Sequence, residues 1–381
     1  MSPRRVLLVQ PGIAPPGGGS LVAAWMLQAL CDVHRVTLFA WEAPDLGRVN
    51  RHFGTTLAAG DFALRTPPPS RLVAHGPTPL TLVRHLLLMR AARAVACEYD
   101  VVLTANNESD LGRPALQYVH YPMLSPRRPA IDLRWYSAAP GAVRVYQWTV
   151  RRLTGFSLAR MRANTTLANS AYIAAHLRAA HGIAARVRHP PAPGDYPAVP
   201  WEARAPSVVA VGRFAPDKRL DVAVDVVAAL RATHPAVTLH LVGVEDDAAT
   251  TAALRRRAEA SGGWLVLHED LPRTALGALL ARHRFGIHAM AGEHFGIAVA
   301  EMVRAGCVPF VATPGGPAEI VGGEAALCWG SPAEAVAKMR AVLDDDATAA
   351  ALRERLAARA DGFTPERFVA DVRKLVAERV A

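Results

Sequence analysis

Short apolar runs recur along the chain. Each is followed by turn-forming residues and then by a stretch whose apolar positions fall three and four apart, which is helical spacing. Val6-Leu7-Leu8-Val9 predicts a buried strand, Gly17-Gly18-Gly19 a turn, and Leu21 to Leu30 a helix. Val36-Thr37-Leu38-Phe39, Tyr99 to Thr104, Pro114 to Val119 and Thr165-Thr166-Leu167-Ala168 read as further strands, and Tyr172 to Ala180 as a helix. The prolines of His189-Pro190-Pro191-Ala192-Pro193, with Pro197 and Pro200, interrupt the pattern as a linker would.

The alternation then restarts. Strands are predicted at Ser207 to Gly212, Val237 to Gly243, Trp264 to Leu267, Phe285 to His288 and Val308 to Val311. Helices are predicted at Leu220 to Leu230 and Thr250 to Ala260, with amphipathic helices closing the chain. Strands that are apolar throughout and alternate with helices imply parallel sheets covered on both faces. The expected architecture is α/β, with two Rossmann-like domains facing each other across a cleft. The expected boundaries are a first domain over 1–190, a linker over 191–205, a second domain over 206–362, and a last helix over 363–381 that packs back on the first domain.

Composition narrows the class. The 381 residues suit two domains at roughly 150 residues each. With 51% hydrophobic and 20% charged residues, the chain is globular rather than disordered. Cys31, Cys97, Cys307 and Cys328 show no metal-ligand spacing and read as reduced core residues, which suits the cytoplasm. No secretory leader is expected, because Met1-Ser2-Pro3-Arg4-Arg5 leads into only a short apolar run. No window offers ~20 uninterrupted apolar residues for a transmembrane helix. A net charge of +10 favours anionic partners, or reflects no more than an arginine-rich genome.

Two segments carry candidate chemistry. In Gly292-Glu293-His294-Phe295-Gly296-Ile297-Ala298-Val299-Ala300-Glu301, two carboxylates stand eight residues apart across a predicted loop-to-helix junction. A helix beginning near Gly296 would turn its free N–H groups toward whatever lies beside Glu293, as a phosphate site requires. Glu301, about a turn further on, would accept hydrogen bonds from a diol. In Gly212-Arg213-Phe214-Ala215-Pro216-Asp217-Lys218-Arg219, directly after a strand, arginine and lysine five residues apart would clamp a diphosphate.

In this order, these elements resemble the family 4 retaining glycosyltransferases of the GT-B fold. Ala168-Asn169-Ser170, Pro190-Pro191 and Thr313-Pro314-Gly315-Gly316-Pro317-Ala318-Glu319-Ile320 add to the likeness. Within the family the chain closely resembles the α-1,2-mannosyltransferases that extend the dolichol-linked oligosaccharide. Tyr118-Val119-His120-Tyr121-Pro122-Met123-Leu124-Ser125 and Gly292 to Ile297 carry that similarity. This 381-residue chain is shorter than those enzymes, and no amino-terminal membrane anchor is expected.

The resemblance implies a nucleotide-diphosphate sugar as donor, GDP-mannose or a UDP-sugar, with no separate cofactor. It assigns Arg213 and Lys218 to the diphosphate and Glu293 to hydroxyls of the donor sugar. It gives the N–H groups of Phe295, Gly296 and Ile297 to sugar and phosphate, and Glu301 to the ribose. It assigns Gly17, Gly18 and Gly19 to a close approach to the donor phosphates, and His120 to the lining of the sugar site. His120, Arg213, Lys218 and Glu293 are the expected catalytic group. Same-face attack is preferred, with the leaving phosphate taking the acceptor's proton. Asp344-Asp345-Asp346 lies in a helical region and reads as a solvated run, so no divalent metal is expected.

The acceptor is a glycolipid or a soluble small molecule. From Tyr121 to Ala163 the chain carries Arg127, Arg128, Arg134, Arg144, Arg151, Arg152, Arg160 and Arg162 but one acid, Asp132. Trp135, Tyr136, Tyr146 and Trp148 lie among them. Such a mixture suits peripheral contact with an anionic membrane at its cytoplasmic face, or a pocket for a soluble anion. No nucleic-acid motif accompanies the charge. An epimerase on the same scaffold and a non-catalytic sugar-nucleotide-binding protein are the rival readings.

Overall fold

The computed structural model describes residues 2–68, 80–125 and 139–379. The chain divides into two compact domains, Met1–Pro191 with Pro365–Ala381, and Ala192–Thr364.

The first domain is built on β1 (Arg5–Val9), β2 (Arg35–Phe39), β3 (Phe62–Arg65), β4 (Val101–Thr104), β5 (Leu116–Val119), β6 (Thr165–Ala168) and β7 (Arg186–Val187). These form one parallel sheet in the order β3-β2-β1-β4-β5-β6-β7. Val6 of the central strand lies opposite Val36 on one side and Val101 on the other. Strands hydrogen-bonded on both edges and covered on both faces have no polar side, so they read as unbroken apolar runs. The helices are α1 (Gly18–Cys31), α2 (Leu46–Phe53), α3 (Thr81–Arg93), α4 (Pro140–Thr154), α5 (Leu158–Arg162) and α6 (Ala171–His181). Ser170 caps α6 by accepting the Ile173 N–H, and Gly182 ends it in the left-handed conformation.

The second domain contains β8 (Ala205–Val211), β9 (Leu239–Gly243), β10 (Leu265–Glu269), β11 (His283–His288), β12 (Val308–Ala312) and β13 (Cys328–Trp329). They are also parallel, in the order β10-β9-β8-β11-β12-β13. Its helices are α7 (Leu220–Leu230), α8 (Ala248–Glu259), α9 (Arg273–Ala281), α10 (Ile297–Arg304), α11 (Pro317–Ile320), α12 (Pro332–Leu343) and α13 (Asp346–Ala360). Phe214, Phe285, Phe310 and Val299 lie in its core. The last helix, α14 (Pro365–Glu378), belongs to the first domain and lies against α1. There Arg373 donates to the Ala29 carbonyl at 2.7 Å and to Asp32 at 2.9 Å.

Some local expectations shift. Tyr99 and Asp100 precede β4 rather than join it, because the Asp100 carboxylate takes the Arg5 N–H at 2.8 Å. Cys97 is exposed, which corrects its reading as a core residue, whereas Cys307 is buried. Asp345 caps α13 and Asp344 accepts from His234, so that acidic run serves helix ends. Among the described residues, no helix is long and apolar enough to cross a membrane.

Both sheets reverse strand order beside their first strand, between β1 and β4 and between β8 and β11. The splayed loops at the carboxyl ends of such strand pairs leave a crevice, where open α/β sheets bind ligands.

Candidate functional site

In the second domain the crevice is walled by the loops after β8 and β11. A one-turn helix, Pro216–Lys218, follows β8, and Arg219 (φ 49°) turns the chain into α7. The turn aims Lys218 at the end of β11. Its ammonium donates to Glu293 Oε2 at 2.5 Å and lies 3.5 Å from the Met290 sulfur. The two side chains are only 17% and 13% exposed. Glu293 is fixed from behind by the Thr313-to-Pro317 loop. The Gly316 N–H donates to the Glu293 carbonyl at 2.8 Å, and a Cβ at Gly316 would overlap the His294 carbonyl. Burial alone would push the Glu293 carboxyl up, but the Lys218 cation beside it holds it well below the usual carboxylate range.

His288, the last residue of β11, completes the cluster. Its buried Nε2 stands 3.6 Å from Glu293 Oε2 and has no hydrogen-bond partner. Burial lowers its pKa to about 4, so the ring is neutral at physiological pH. The cluster therefore holds one anion, one cation and one neutral imidazole.

Gly296 precedes α10 with φ 95°, a conformation that side chains rarely adopt, and a Cβ there would also lie 2.9 Å from Pro317 Cγ. No side chain caps α10. Its first turn, at Ile297, thus presents backbone N–H groups and the positive end of the helix dipole a few residues from Glu293. Phe295 is buried, with its ring 5.9 Å from that of Phe363, and anchors the junction.

Glu301 lies one turn into α10, is 3% exposed, and is held by Arg273 from the start of α9. The same guanidinium nitrogen donates to the Pro193 carbonyl at 2.5 Å, which also accepts from the Tyr196 hydroxyl at 3.0 Å. Burial raises the Glu301 pKa, and Arg273 opposes the rise. Arg213 stands nearer the surface, paired with Asp246 and, at 3.1 Å, with Asp217. Of the expected clamp, Lys218 is thus joined to Glu293, while Arg213 engages a separate pair of carboxylates.

In the first domain the loops after β1, β4 and β5 converge. Gly17 caps α1, Gly18 opens it, and Gly19 lies beside His120, where a Cβ would be in ordinary van der Waals contact with the imidazole at 3.4 Å. That nitrogen donates to the Ala105 carbonyl at 2.8 Å. A carbonyl only accepts, so Nε2 carries a proton. The Asn107 side-chain oxygen accepts the N–H groups of both His120 and Tyr121 at 2.9 Å. Buried Glu108 accepts those of Met123 and Leu124 at 2.8 and 3.0 Å, and His181 Nε2 at 3.0 Å. Two side chains therefore clamp the segment that bears His120.

Residues 197–361 match the family described as Glycosyl transferases group 1. The second domain is a group 1 glycosyltransferase domain. Over 232 residues the chain is 27% identical to a GDP-Man:Man(3)GlcNAc(2)-PP-Dol alpha-1,2-mannosyltransferase of Yarrowia lipolytica, a match covering 54% of this chain and 36% of that protein. A Candida glabrata protein of the same description is 24% identical over 225 residues, covering 54% and 44%. The chain thus matches less than half the length of these curated relatives. Among solved structures it is similar to Anabaena Alr3699/HepE in complex with UDP-glucose, with TM-score 0.69, 16% identity, and coverage of 98% and 100%. It is also similar to the sucrose-phosphate synthase of Thermosynechococcus elongatus, with TM-score 0.72, 18% identity, and coverage of 98% of each chain. These likenesses are of fold, which is GT-B.

Within the group 1 domain, His288, Arg273, Asp217 and Asp246 escaped the sequence reading. His288 had a signal, a polar residue closing the apolar run Phe285-Gly286-Ile287. Arg273 had none, since only the packing of α9 beside α10 brings it to Glu301. In the first domain, Asn107 and Glu108 lie in Asn106-Asn107-Glu108-Ser109-Asp110, five polar residues separated from the buried strand β4 only by Ala105. A polar run is the usual mark of an exposed loop, and here all of it but Asn106 is buried.

Proposed function

We propose that the chain is a metal-independent, retaining hexosyltransferase of family 4, moving a hexose from a nucleotide-diphosphate sugar to an acceptor hydroxyl. The observation that carries this reading is the Lys218–Glu293 pair beside the uncapped start of α10, at the switch point of the second sheet. A cation and a helix amino terminus favour a diphosphate. An ionised carboxylate beside them accepts hydrogen bonds from sugar hydroxyls.

In this reading Glu293, kept ionised by Lys218, orients the donor sugar, and Glu301 takes the ribose hydroxyls. The N–H groups from Phe295 to Ile297 hold sugar and phosphate. As the anomeric C–O bond breaks, negative charge grows on the diphosphate. Lys218, Arg213 and the start of α10 stabilise that charge electrostatically. The acceptor oxygen bonds to the anomeric carbon on the same face, and its proton passes to the departing phosphate. The first domain binds the acceptor, and His120 lines the sugar site.

Mannose carried by GDP is the leading donor, supported by the description shared by the two curated relatives. A UDP-sugar is the second, supported by the UDP-glucose complex of the Anabaena protein. The acceptor is a glycolipid or a small molecule. A panel of nucleotide sugars scored by thermal shift, followed by product analysis with and without acceptor, tests the reading. A donor should raise the melting temperature, and its sugar should move only when an acceptor is present. Conversion of donor to an epimer without acceptor, or binding without turnover on any acceptor, refutes it.

A further inference from the structure

Among the described residues, six large apolar side chains are exposed, and the three most exposed stand on one helix, α4. They are Val145 at 65%, Trp148 at 58% and Leu153 at 71%, against at most 42% for the other three. Single exposed apolar residues are ordinary, but a group of them on one face is not. At 3.6 residues per turn, Val145, Trp148 and Arg152 share a stripe flanked by Arg144 and Leu153. Val143, Gln147, Val150 and Thr154 are buried on the opposite side.

The charge of this surface has one sign. From 140 to 162 the chain carries Arg144, Arg151, Arg152, Arg160 and Arg162 and no acid. Arg160 is paired with the buried Asp110 through two hydrogen bonds at 2.8 Å, and Arg162 donates to the His181 carbonyl at 3.1 Å. Arg144, Arg151 and Arg162 line, with Trp148, a pocket of about 420 Å³ beside α4. Arg127, Arg128 and Arg134, with Asp132, Trp135 and Tyr136, lie outside the described residues.

We propose that α4 is a docking surface for an anionic lipid bilayer. Val145, Trp148 and Leu153 enter the headgroup boundary, and the arginines around them meet lipid phosphates. A helix with apolar and arginine side chains on one face, including an amphipathic tryptophan, is built to lie in such an interface. A second copy of the chain is a poorer occupant. A two-fold contact would set these arginines against their own copies with no acid in the segment to offset them. Nucleic acid would leave Val145 and Leu153 without a role.

Sedimentation of the full chain with vesicles tests this without reference to the donor. Vesicles of phosphatidylcholine containing phosphatidylglycerol should bind the protein, and phosphatidylcholine alone should not. Binding should fall about tenfold or more between low and high salt, because the attraction is screened. V145S/W148S should weaken binding on the order of tenfold at low salt. R144Q/R152Q should remove much of the salt dependence. Circular dichroism and melting of both variants should match the unsubstituted protein, which separates lost docking from lost fold. The proposal is overturned if the protein ignores phosphatidylglycerol at low salt, or if both variants bind as well as the parent. It is also overturned if the parent self-associates and V145S/W148S abolishes that association. Vesicle binding without sugar transfer would leave this surface standing and remove only the glycosyltransferase reading.

Discussion

Replacing Arg273 with leucine strands Glu301. The carboxylate is 5% exposed, its cation 18%, and the guanidinium also serves the Pro193 carbonyl. Removing one member of a buried pair costs ~3–5 kcal/mol, because the remaining charge is left uncompensated. The lost bond to Pro193 adds about 1 kcal/mol. The penalty depends on pH with a definite sign. The folded pKa of Glu301 is already raised by burial and restrained by Arg273. A carboxyl with a raised folded pKa contributes stability that is complete below its unfolded pKa of about 4.3 and is lost as pH rises through the folded value. Without Arg273 the folded pKa climbs further, so the deficit of R273L should be small at pH 5 and large at pH 8. Urea unfolding at both pH values measures it. At about 2–3 kcal/mol per molar urea, the upper part of the range for small proteins, the midpoint at pH 8 should fall by about 1–3 M. Hydrogen exchange of β11 and α10 peptides isolates the second domain's transition. Adding E301Q to R273L removes the stranded charge and should restore most of the loss and flatten the pH dependence. A deficit below about 1 kcal/mol that is equal at both pH values would refute the buried-pair argument.

Three further outcomes follow from the proposed donor site. K218A should cost ~2–4 kcal/mol in donor turnover, roughly 30- to 800-fold, while the protein remains folded by circular dichroism; unchanged turnover would remove Lys218 from the site. E301Q should weaken calorimetric binding of the free nucleoside diphosphate, whereas E293Q should mainly weaken binding of the intact donor; equal effects on both ligands would dissolve that division. Activity should persist in chelator, with the cationic groups stabilising the leaving diphosphate; loss in chelator with rescue by magnesium or manganese would show that a metal is required.

What was legible in the sequence was short-range. The Arg213-to-Lys218 and Glu293-to-Glu301 segments each sit where a buried strand ends, and burial makes strand ends conspicuous. Strand order places both beside the same crevice, between β8 and β11. The illegible parts are pairings across elements. Glu301 meets Arg273, 28 residues away, and Arg213 meets Asp246, 33 residues away. Neither contact leaves a mark in local spacing, because each depends on how one loop packs against another. Strands β3, β7 and β13 also went unread. Two of them are two residues long, and Phe62–Arg65 is only partly buried, so its apolar signal is diluted.

Those cross-element pairs change what donor binding must do. From the sequence, Arg213 and Lys218 look like two free cations awaiting a diphosphate. In the folded domain both already face carboxylates, so on the proposed reading the diphosphate arrives by exchange. The two exchanges differ. Arg213 is 34% exposed, and its partners Asp217 and Asp246 are 43% and 41% exposed. Ion pairs so open to solvent hold at about 0–1 kcal/mol and yield easily. Lys218 and Glu293 are far more buried, and releasing either without a replacement would leave a charge unmatched. On that reading Arg213 is the half of the clamp that swings to the incoming phosphate. Lys218 is the fixed half, holding Glu293 ionised while its remaining donor hydrogens turn to the ligand. On the proposed reading the order of events then follows from burial: the phosphate is captured at the surface by Arg213, and the sugar is sorted at Glu293.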